Sequence, residues 1–104
     1  MDLEQEFERA IRGMITNTLH ETKYRPTLFM QMVDRNGAMD TCLRLVRTPT
    51  PSDGFTTLWE LGRLDLTAET HMLAPKFEAL FEESDLMAAK KRLEDYGYSP
   101  GSPK

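Results

Sequence analysis

Between Ser52 and His71 the chain reads SDGFTTLWELGRLDLTAETH, and within it Asp53, Trp59, Glu60, Arg63, Asp65, Glu69 and His71 form the densest group of chemically competent side chains. Asp65, Glu69 and His71 are of the types with which a small metal-dependent hydrolase holds its ion and activates water. The spacing works against that use. Ligands on one helix face recur every three or four residues, whereas Glu69 and His71 are two apart. A structural role suits the stretch better: Arg63 and Asp65 would tie a connector to neighbouring helix ends, with Leu64 and Leu66 as its anchors and Thr67 as the cap of the next helix. Trp59 is expected in the core.

The remaining reactive residues point to no reaction. His20 is followed by Glu21, but no second histidine stands four residues on, so the zinc-protease pattern is absent. Cys42 lies among Met39, Leu43 and Val46 on an apolar helical stripe, where a thiol acts as a small hydrophobe, and a single cysteine permits no internal disulfide. No glycine-flanked serine turn and no glycine-rich phosphate loop occurs. No catalytic, cofactor-binding or metal-ligating residue is therefore assigned, and no cofactor is expected.

Residues 28–47 read as helix, glycine turn, helix, the outline of a DNA-binding helix-turn-helix, with Arg35, Arg44 and Arg47 as the face that would meet phosphate. Val33 fits such a unit poorly, because close helix packing there favours a smaller residue. Segment 23–47 has five basic and two acidic residues, a local net of +3, while 53–95 has five basic and ten acidic, a net of −5. Phosphate neutralisation drives even non-specific DNA affinity, so nucleic acid is the weaker partner for an acidic chain with one modest basic patch. The same polarity suits a protein partner or self-association.

The elements that carry these residues follow from composition. Leu, Met and Ala number 13, 7 and 7, against two Val and two Ile, which favours helix and disfavours a sheet core. Leu3, Phe7, Ala10, Ile11, Met14 and Thr18 recur at steps of three and four, predicting an amphipathic helix from Asp2 to about Thr22 behind an acidic first turn. Further helices are expected over Pro26–Asn36, capped by a left-handed Gly37, and over Ala38–Arg47. The Thr48-Pro49-Thr50-Pro51 run interrupts the pattern; a helix then starts at Ser52 or Asp53 and ends near Gly62. Thr67 caps a short helix, Pro75 starts another through Phe81, and Ser84 starts the last, which Gly97 ends.

PSDGFTTLWELGRLDLTAE, with LAPKFEALF and KKRLEDYGY after it and YRPTLFMQMVDRNGAMDTCLRLV before it, resembles a group of short bacterial proteins and domains that carry an SDGFxxLWExGRLDLTxE-type motif and have no assigned function. The resemblance covers about Tyr24 to Tyr98, and His71 departs from it. It implies a bacterial, cytoplasmic source and brings no catalytic or binding residue with it.

At 104 residues and a net charge of −4, the chain has room for one domain. No apolar run approaches the roughly 18 to 20 residues of a membrane helix, and MDLEQEFER is acidic where a secretory signal would be basic, so no membrane association and a cytoplasmic location are expected. The predicted fold is all-α: a single domain of five or six short helices, orthogonal-bundle-like, with a compact unit at 23–98. Residues 1–22 form a helix free to pack in place or exchange into a dimer, and 99–104 a disordered tail. Its expected core includes Phe29, Met32, Leu43, Phe55, Leu58, Trp59, Leu73, Phe77, Phe81 and Leu93. The leading functional expectation is a non-enzymatic protein-interaction or regulatory module. A small DNA-associated regulator using 28–47 is the alternative, and a metal-dependent hydrolase the third.

Overall fold

Asp2 opens the first helix with a capping box: its carboxylate accepts the Gln5 N–H at 2.8 Å, and the Gln5 side chain accepts the Asp2 N–H at 3.3 Å. The computed structural model describes residues 2–99. The chain runs through α1 (Leu3–Glu21), α2 (Thr27–Asn36), α3 (Ala38–Arg47), α4 (Asp53–Glu60), α5 (Ala68–Met72) and α6 (Glu83–Asp95), with single 3-10 turns at Leu64–Leu66 and Glu78–Leu80. No strand occurs among the described residues. The fold is all-α and one domain, and its radius of gyration of 12.6 Å matches the ~13 Å of a compact chain of about this length.

The first helix is not a spare element. Phe7 and Ile11 are fully buried, and Met14, Ile15 and Thr18 join them against Val33, Cys42, Leu66 and Met72. Phe7 receives both Phe77 and Phe81 edge-on, with ring centroids 5.2 Å away in each case. The expected division at residue 22 therefore does not separate α1 from the compact unit, because α1 supplies that unit's centre.

Charged side chains finish the helix ends. Gly37, at φ 84° and ψ 163°, is the whole joint between α2 and α3; its positive φ was expected, but its ψ is extended rather than left-handed helical. The Ala38 N–H left free at that joint donates to Glu8 Oε1 of α1 at 2.7 Å, and Arg12 links Glu8 to Asp34 at 2.7 and 3.0 Å. The α3 C-terminus is closed by α6: Arg92 donates to the Leu45 carbonyl at 2.8 Å and to the Thr48 carbonyl. Arg47 grips Asp85 of α6 with two bonds of 2.9 and 2.8 Å, holding the Asp85 carboxyl below its ordinary pKa.

Several local expectations change. Ser52 caps α4 by accepting the Phe55 N–H and Thr67 caps α5 by accepting the Thr70 N–H, as the hydroxyls suggested, but α6 begins one residue before Ser84, with Glu82 as its N-cap. The stretch after Pro75 forms one 3-10 turn, since the Phe7 contacts made by Phe77 and Phe81 replace helical continuity. Trp59 is 46% exposed and outside the core: Phe55 and Leu58 take the inward face of α4, which is only eight residues long. The expected disordered tail lies, beyond Ser99, outside the described residues.

Candidate binding cleft

Leu28, Phe29, Met32 and Val33 give α2 a wider apolar face than its packing uses. Val33 alone is fully buried; Phe29 and Met32 are half-buried, and Leu28 is 71% exposed. The unused part of that face borders an open cavity of about 210 Å³. Met14 and Ile15 of α1 and Phe55 and Leu58 of α4 form its other apolar walls. Leu28 stands at the lip, and Asp53, one residue after the α4 cap, brings a negative charge to the rim. No lysine or arginine among the described residues lines it.

Glu69 reaches the same cavity from α5 but is itself 3% exposed. Burial pushes its carboxyl pKa above the ordinary value, and its own backbone N–H and Arg92 pull the other way. Arg92 Nη1 is 3.3 Å from Glu69 Oε2 and also serves the α3 carbonyls, so this pair joins α5, α3 and α6. Its second task explains why the pair is structural: a guanidinium held by carbonyls on one side has little freedom to follow a substrate.

The three residues weighed as metal ligands are not brought together. Asp65 is exposed and bound by Arg63, Glu69 is buried on Arg92, and His71 Nδ1 lies 3.0 Å from the Thr67 carbonyl. Among the described residues no group of three His, Cys, Asp or Glu side chains could hold a metal ion. Cys42 is fully buried, and burial, with Glu69 and Glu8 nearby, pushes its thiol pKa far up, leaving no nucleophilic thiolate near neutral pH.

Arg63 bridges Asp65, at 3.0 and 3.1 Å, to Glu21 at the end of α1, at 2.8 Å, while Leu64 and Leu66 are buried beneath the connector. Of the three arginines weighed for phosphate, Arg44 holds Asp40 at 2.6 Å and Arg47 holds Asp85; Arg35 has no carboxylate partner among the described residues. The α2–α3 joint is also one residue, against the three or four of a helix-turn-helix.

The sequence predicts the helix over Pro26–Asn36 that carries Leu28 but does not show the cleft. The available signal was the apolar content of that helix, five apolar residues (Leu28, Phe29, Met30, Met32 and Val33) out of ten, of which Val33 alone is fully buried. Arg92 and Glu8 left no such trace, because the backbone groups they bind are 44 to 47 and 30 residues away along the chain. No helix among the described residues is long and apolar enough to cross a membrane. Comparison with protein-family models, curated proteins and solved structures found no match.

Proposed function

We propose that the chain is a non-enzymatic interaction module whose cleft takes an apolar anchor side chain from a partner protein, on a segment that carries lysine or arginine beside the anchor. The observation that carries this reading is the cavity of about 210 Å³ with Leu28 71% exposed at its lip. That volume is below the roughly 300–1,000 Å³ of small-molecule pockets and suits one or two side chains. Aromatic and methionine walls such as Phe29, Phe55 and Met32 are the residue types that interfaces concentrate around buried anchors. Asp53 at the rim, with no lysine or arginine among the described residues in the lining, favours a cationic flank.

Selection of peptides from a random library on the full-length protein tests it. Enrichment of sequences with a leucine, phenylalanine or tryptophan next to lysine or arginine, bound at least tenfold more weakly by Leu28→Asp with unchanged helicity, is the expected result. Failure to enrich, or enriched peptides indifferent to Leu28→Asp, would remove the reading. Peptides that are acidic throughout would contradict the charge argument.

A further inference from the structure

Leu28, at the lip of the apolar cleft, is the most exposed large apolar side chain among the described residues. Arg25 comes three residues before it, exposed and with no ion pair among the described residues, and Lys23 is placed likewise. By contrast, Arg12, Arg44, Arg47, Arg63 and Arg92 all hold carboxylates. Asp53 at the rim is also exposed, and it forms no ion pair with Arg25 or with any other described residue of its own copy. One patch thus holds an apolar knob with a cation beside it and, next to these, an apolar hole with an anion beside it. The segment that presents the knob is ordered in advance. Tyr24 N–H donates to Thr22 Oγ1 at 3.0 Å, Thr27 N–H donates to the Arg25 carbonyl at 2.8 Å, and Pro26 is buried. The Tyr24 hydroxyl lies against the start of α4, so close to Gly54 that a Cβ there would stand 2.9 Å from it. Knob and rim are therefore held at a fixed separation, and association has little ordering entropy left to remove.

On the reading that the cleft takes an apolar anchor beside a cation, we infer that its partner is a second copy of this chain: Leu28 of each copy enters the other's cleft about a two-fold axis, and Arg25 of each meets Asp53 of the other. A two-fold interface uses the same patch on both subunits, so a knob lying beside a hole satisfies it twice. The charges fit the same operation, since the rotation carries each copy's cation to the other's anionic rim. Insertion also takes out of water the large apolar side chain that the single copy leaves most exposed. One anchor per copy makes a small interface, of the class that associates reversibly.

Sedimentation equilibrium of the full-length protein from about 10 μM to about 1 mM tests it, with Arg25→Glu, Asp53→Lys and an equimolar mixture of the two run beside the wild type. Reversible dimerisation of the wild type is expected within that range. Each variant sets like charges against one another at both contacts of its own dimer and should dimerise about tenfold more weakly, with unchanged helicity. A heterodimer of the two variants pairs opposite charges at both contacts, so the mixture should recover dimerisation to near the wild-type level. A wild type that stays monomeric throughout, variants that dimerise as well as the wild type, or a mixture no better than either variant alone overturns the inference. A monomeric wild type that still enriches lysine- or arginine-flanked peptides overturns it while leaving the cleft reading in place, whereas no dimer and no enrichment removes both.

Discussion

Glu69 and Arg92 meet where neither charge could stand alone. Their side chains are 4% and 10% exposed, and each would carry a large desolvation cost without the other. Because burial raises the Glu69 pKa above its ordinary value, the native state holds that proton to higher pH than the unfolded chain does. Ionising Glu69 therefore costs stability, and the cost is present above the native pKa and absent in acid. Arg92→Leu removes the compensating cation and the partner of the Leu45 and Thr48 carbonyls. It should cost about 3–5 kcal/mol at neutral pH and visibly less near pH 5, measured by urea unfolding at both. A deficit independent of pH would show that Arg92 acts only as a helix cap. Thr41 offers the opposite sign. Its hydroxyl is fully buried and finds no hydrogen-bond partner among the described residues, so Thr41→Val, of nearly the same shape, should raise stability by about 1 kcal/mol in the same assay. Neither residue was readable from the chain alone: the partners of Arg92 lie 23 to 47 residues away, and an unsatisfied hydroxyl is defined only by what surrounds it.

Local signals were legible wherever the deciding partner lies a few residues away. Ser52 and Thr67 cap α4 and α5 because each hydroxyl needs only the N–H three residues ahead, and α3 spans the expected Ala38–Arg47. They failed where the deciding partner is remote. The spacing of Phe7, Ile11 and Met14 predicted a stripe on α1 but could not say that Phe77 and Phe81 would close on it. Periodicity likewise placed Trp59 beside Leu58, while the shortness of α4 and the position of Tyr96 left the indole half in solvent. The integration of α1 has a direct check. Phe7→Ala should lower stability by about 3–5 kcal/mol, a large part of the 5–15 kcal/mol typical of a whole domain, as measured by thermal or urea unfolding. A loss below 1 kcal/mol would mean that α1 is an accessory helix after all.

For the whole molecule, adding charges by segment described the surface less well than the sequence suggested. The +3 of residues 23–47 includes Arg47, whose charge is taken up by Asp85 across the fold, and Arg44, held by Asp40 one turn away. What remains is a helical domain in which Cys42, Glu69 and Arg92 are enclosed, with an apolar cleft open between α1, α2 and α4. The most direct measurement of its use is amide NMR of the labelled full-length protein titrated with an apolar peptide flanked by lysine. Shifts concentrated at Leu28, Phe29, Met32, Phe55 and Leu58, and abolished by Leu28→Asp, are predicted. Shifts confined to other faces, or undiminished in the variant, would contradict the account.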